Sequence, residues 1–147
     1  MKKHIFFFWA YLLAGTLFGH AQNTKAVREL FQRVSGRQEL PVSVKLKQDK
    51  DSTYYQYEVR DGVLHIQGSD NVSLCRGFYD YIKDNHLGMY TWTGNSINIP
   101  SEGLPDQPSV RTVSPFANHY YFNVCTYGYS MPYWDWERWE QEIDWMA

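Results

Sequence analysis

Cysteine is scarce in this 147-residue chain, with only Cys75 and Cys125 present. No Cys-x-x-Cys or His-x-x-x-His pair occurs, and His65, His86 and His119 are too scattered for zinc-type spacing, so no metal centre is expected. Gly-rich phosphate loops are absent, as is a Gly-x-Ser-x-Gly nucleophile elbow, and no cofactor is implied. No run of basic residues survives beyond the first few positions. A surface that tracks phosphates therefore has no footprint here, and nucleic acid is not expected as a partner. A Cys125 nucleophile would need a base, yet His119 lies six positions earlier on the same predicted strand, about 20 Å away at the strand rise.

What is present begins with an export leader. Lys2 and Lys3 precede an apolar run from Ile5 to Phe18, too short to span a bilayer comfortably, and Gly19-His20-Ala21 offers small residues for cleavage. Removal of residues 1–21 takes two lysines and shifts the formal charge from −2 to −4. The expected protein is exported and free of the membrane after cleavage, in a compartment that permits disulfides. Cys75 lies on the apolar face of a predicted helix, which favours a buried free thiol. Whether it bridges to Cys125 depends on geometry that spacing cannot give.

The pattern from residue 22 onward predicts a small α+β domain. Val27, Leu30, Phe31 and Val34 recur at helical spacing over residues 24–34, and Gly36 stops that helix. Val42, Val44 and Leu46 alternate with polar residues in a strand, and Tyr55, Tyr57 and Val59 do so in a second. Asp61-Gly62 then marks a tight hairpin into a third strand with Leu64 and Ile66 inward. Gly68 to Asn71 caps a helix over 71–85, whose stripe reads Val72, Cys75, Tyr79 and Ile82, widened by Phe78. A second hairpin is expected at Met89–Trp92 and Ile97–Ile99, turning at 93–96. The expectation is a small antiparallel sheet with two helices. Prolines 100, 105, 108 and 115 mark residues 100–117 as a linker, because proline cannot donate to a ladder.

Beyond the linker the chain turns aromatic. His119 to Cys125 alternates like a strand, and Asp135 to Ala147 has helical spacing with an acidic first turn that suits the helix dipole. Strand, loop and helix make one βα unit. The carboxylates Asp135, Glu137, Glu140, Glu142 and Asp144 read as a solvated helix face, since a glycosidase pair must flank one bond from about 5 to 10 Å apart. Alternation places Asn123 and Cys125 on one face, where they serve either as interior packing or as contacts to a hydroxyl-rich ligand, with Tyr127 and Tyr129 following in a loop.

Asn123-Val-Cys-Thr, Tyr129-Ser and the block from Trp134-Asp-Trp-Glu-Arg-Trp to Asp144-Trp-Met-Ala147 resemble the start of the catalytic barrel of α-N-acetylglucosaminidases, glycoside hydrolase family 89. Val27-Arg-Glu-Leu30, Gly68-Ser69, Arg76-Gly-Phe-Tyr-Asp-Tyr81 and Trp92-x-Gly94 are similar to that family's N-terminal domain. The resemblance implies residues 22–99 as the N-terminal domain and 118–147 as the first βα unit of a (β/α) barrel that this chain leaves incomplete. It implies a retaining exo-glycosidase that releases terminal α-linked N-acetylglucosamine through two glutamates on later strands, outside this chain. Asn123, Cys125 and Tyr129 match family positions at the sugar pocket, so the resemblance favours the ligand reading for them. Met131-Pro132-Tyr133 departs from the bulkier apolar residues of family members. The chain alone is expected to be inactive, with a glycan and the rest of its own barrel as partners. A free-standing carbohydrate-binding module, stacking its Tyr and Trp rings on sugars, is the alternative.

Overall fold

The computed structural model describes residues 24–116, 118–122 and 124–147. The expected leader and Asn123 lie outside those residues. Helix α1 spans 24–35 and buries Val27, Leu30, Phe31 and Val34, as their spacing requires. It stops at Gly36, whose positive φ of 68° an L side chain rarely adopts. Strands β1 (Val42–Leu46), β2 (Tyr54–Arg60) and β3 (Val63–Gly68) follow, then α2 (Asn71–Asp84). Asp61 and Gly62, at φ 53° and 72°, form the tight turn between β2 and β3. Asp70 caps α2 by accepting from the Ser73 amide.

The sheet order is β1-β3-β2-β6, with β6 at Val110–Val113. β2 pairs antiparallel with both neighbours, but β1 runs parallel to β3, so the sheet is mixed where an antiparallel one was expected. The chain between β1 and β2 crosses no hairpin, which leaves β1 free to pair with β3 in the parallel sense. The core lies between this sheet and the two helices. Tyr57, Leu64 and Ile66 meet Phe31, Leu74 and Phe78, with Phe31 and Phe78 stacked at 4.1 Å between ring centroids. Leu74 and Tyr81 are fully buried while Val72 is half exposed, so the inward stripe of α2 is rotated from the expected one.

The proline-bearing stretch is tied to the domain along its length. Ile99 and Leu104 enter the core, the Tyr81 hydroxyl donates to the Pro105 carbonyl at 3.0 Å, and the Val59 amide donates to Gln107. β6 then closes the sheet edge. Pro105 and Pro108 precede the strand and Pro115 follows it, so no proline occupies a ladder position.

α2 ends in a reciprocal pair of bonds, Leu87 N to Ile82 O and His86 N to Lys83 O, with His86 at φ 54° in the left-handed position. The following hairpin, β4 (Tyr90–Thr91) and β5 (Gly94–Asn95), turns at Trp92 and Thr93, earlier than expected. Thr91 Oγ1 donates to the Gly94 carbonyl and tightens that turn. Gly88 lets the hairpin stem close. At φ 127°, a β-carbon there would sit 2.4 Å from the Ser96 carbonyl oxygen.

Candidate functional site

The expected strand from His119 to Cys125 is not what the described residues form. Residues 118–122 carry no strand, and Val124–Tyr129 forms a short helix, α3. A strand exists through its ladder bonds, and no described strand runs beside this segment to supply them. Cys125 is exposed and Tyr129 is 82% exposed, four residues apart on one helix face. The structure therefore brings Cys125 and Tyr129 together by helical rather than strand periodicity.

After α3 come a 3-10 turn (Met131–Tyr133) that buries Met131, and α4 (Trp136–Met146). Asp135 caps α4 by accepting from the Arg138 amide at 2.9 Å. Glu142 and Asp144, expected on a solvated face, are instead its buried residues, 0% and 8% exposed. Each has a cationic partner that repays desolvation. Arg33 of α1 grips Asp144 with two bonds of 2.7 Å, Nε to Oδ2 and Nη2 to Oδ1, and this contact holds the guanidinium's pKa above its ordinary value. Glu142 accepts from Trp92 Nε1 at 2.7 Å, Arg138 Nη2 at 2.8 Å and the Tyr121 hydroxyl at 2.8 Å. Arg138 also lies 4.0 Å from the centre of the Trp134 ring, which meets Trp139 edge-on.

A cleft of about 570 Å³ opens between the β4–β5 hairpin and α4, lined by Arg33, Trp92, Arg138, Glu142 and Asp144 among others. Its two buried carboxylates are already engaged by guanidinium, indole and phenol donors, which leaves neither as a free acid or base. It is a joint between the domain and α4. Trp136, 70% exposed, and Ile143 lie on the opposite side of α4, while Trp145 lines the cleft beside the two carboxylates. Sequence reasoning missed Arg33, Trp92 and Tyr121 as partners of α4, because they lie far away along the chain. Only the Arg138–Glu142 pair carried a local signal, at i,i+4 spacing.

Cys75 is buried, Cys125 is exposed, and both are free thiols. Burial pushes the Cys75 thiol up to about 12. Among the described residues, no group of three His, Cys, Asp or Glu side chains could hold a metal ion, and no helix is long and apolar enough to cross a membrane.

Residues 25–106 match the family model of the α-N-acetylglucosaminidase (NAGLU) N-terminal domain, and residues 119–147 match that of its TIM-barrel domain. Human α-N-acetylglucosaminidase is 40% identical over 85 residues, which is 57% of this chain and 11% of the human protein. A family 89 glycoside hydrolase from Clostridium perfringens superposes with a TM-score of 0.81 at 25% identity, over 93% of this chain and 16% of its own. That enzyme has been solved with PUGNAc and with 2-acetamido-1,2-dideoxynojirmycin, and a doubly substituted form with its substrate GlcNAc-α-1,4-galactose. The chain spans 11% and 16% of the lengths of these relatives. Residues 25–106 match the N-terminal domain and residues 119–147 the TIM-barrel domain, in that order along the chain, and the chain belongs to the α-N-acetylglucosaminidase family, glycoside hydrolase family 89.

Proposed function

We propose that this chain is the N-terminal part of an exported exo-glycosidase that releases terminal α-linked N-acetylglucosamine. The observation that carries the reading is the ordered succession of the two family domains along one chain, joined through the Arg33–Asp144 and Trp92–Glu142 contacts. The ligands of the Clostridium perfringens enzyme support the substrate class. The reaction is a double displacement with retention, in which two carboxyl groups about 5 Å apart act as acid/base and nucleophile. Both glutamates lie on barrel strands beyond Ala147. Within this chain, Asn123, Cys125 and Tyr129 contribute to the sugar pocket, and Cys125 and Tyr129 are exposed and on one face of α3, as that role requires. Residues 1–21 direct export and are removed.

A chromogenic α-N-acetylglucosaminide tests this directly. The polypeptide that carries the complete barrel is expected to release the sugar with the α-anomer first in the proton NMR spectrum, and residues 22–147 to release none. First appearance of the β-anomer would overturn retention, and turnover by residues 22–147 would overturn the placement of the glutamates.

A second reading rests on the exposed rings of Tyr129, Tyr133 and Trp136, which could stack on sugars without catalysis. It predicts saturable glycan binding by residues 22–147 and no hydrolysis by any longer form.

A further inference from the structure

Glu142 is the one carboxylate of α4 with no exposed surface, and it sits among three donors from three different parts of the chain. Burying a charge costs several kcal/mol before any partner is counted, and apolar side chains fill such a space at less cost. Directional bonds supply what apolar packing does not, a fixed orientation. The donors show what is oriented. Trp92 belongs to the N-terminal domain and Arg138 to α4 itself, but Tyr121 belongs to the segment that leads into α3.

α3 has six residues, too few to hold a helix in place by its own bonds. Its position depends on what anchors its two ends. Downstream, the 3-10 turn buries Met131, and Trp134 packs between Arg138 and Trp139 of α4. Upstream, the Tyr121 hydroxyl reaches Glu142 and its ring meets Trp145 edge-on at 6.0 Å. Both anchors land on α4, which Arg33 and Trp92 lock to the domain.

The geometry points to Glu142 and Tyr121 as positioning residues for the sugar-contact face of α3, acting through the bond between them. This inference rests on the proposed function for its ligand, a terminal α-linked N-acetylglucosamine, and on the structure for its mechanics. Trp92 bonds the other oxygen of the same carboxylate, and Arg33 holds α4 to the domain without it, so removing the Trp92 donor leaves the tether to α3 whole and provides the control.

The test compares Tyr121→Phe with Trp92→Phe in the polypeptide that carries the whole barrel. Each removes one donor to Glu142 and keeps an aromatic ring. In Tyr121→Phe, KM for a chromogenic α-N-acetylglucosaminide is expected to rise about tenfold with kcat within about twofold, the signature of lost uniform binding. Amide exchange over residues 124–129 is expected to quicken about fivefold in the same variant. Trp92→Phe is expected to change neither. Unchanged exchange in Tyr121→Phe, or equal effects in the two variants, overturns the tether. Faster exchange without a change in KM overturns the role in sugar binding. A wild-type protein that releases no N-acetylglucosamine while the exchange contrast holds overturns the substrate, and with it the sugar role, while the tether stands.

Discussion

Helices α2 and α4 are both amphipathic, both capped by an aspartate, and both packed against the same domain, yet they pack with opposite faces. α2 buries Leu74, Phe78, Tyr81 and Ile82 and turns Arg76 and Lys83 outward. α4 buries Glu142 and Asp144 and leaves Trp136 and Ile143 exposed. The difference lies in what each meets. α2 meets the apolar side of a sheet, with Tyr57, Leu64 and Ile66 across from it. α4 meets donors, the Arg33 guanidinium and the Trp92 indole. Amphipathicity fixes that a helix has two faces, and the partner decides which one turns inward.

The contrast breaks most severely from the α2 side. Phe78→Ala removes the ring stacked on Phe31 and is expected to cost about 3 to 5 kcal/mol in urea unfolding, enough to unfold much of the domain. On the α4 side the cost is smaller, because Arg33 is partly exposed and regains water when its partner goes. Asp144→Ala should cost about 1 to 2 kcal/mol, and a double-mutant cycle with Arg33→Ala should return most of that as coupling. A coupling near zero would make the inward polar face of α4 an accident of packing.

Alkaline titration sharpens the same contrast. Burial in α2 pushes both the Cys75 thiol and the Tyr81 phenol up to about 12, above their ordinary values of 9.0 and 10.0. A proton held more tightly in the folded state gives stability that is complete below the unfolded value and drains away as pH rises through the folded one. The melting temperature should therefore fall from about pH 9 toward pH 12, and Tyr81→Phe should make that fall shallower. Least of all, Ile143→Lys on the outward face of α4 should move the stability of residues 22–147 by no more than about 0.5 kcal/mol. A large loss there would mean that the face is covered in solution.

Local chemistry was legible wherever one short stretch decides the outcome. Asp61-Gly62 gave the hairpin, the Gly68–Asn71 stretch the start of α2, and Asp135 with its acidic first turn the start of α4. What needed a distant partner was not legible. Arg33 and Asp144 are 111 residues apart, and no local pattern marks their pairing. β6 hid between prolines because its place depends on β2, more than fifty residues earlier. At the candidate site, the alternation from His119 to Cys125 has strand periodicity, but without a neighbouring strand to supply bonds the segment from 124 to 129 coils into α3. The helical arrangement of Cys125 and Tyr129 was therefore not legible from the alternation.

Gly88 carries the last consequence. Every missense change reachable from a glycine codon adds a β-carbon, and here that carbon would collide with the backbone of Ser96 and Ile97. The damage would surface elsewhere: the displaced hairpin would carry Trp92 away from Glu142 and loosen α4 from its seat. The altered codon would lie in the N-terminal domain and its effect in α4, near the other end of the chain.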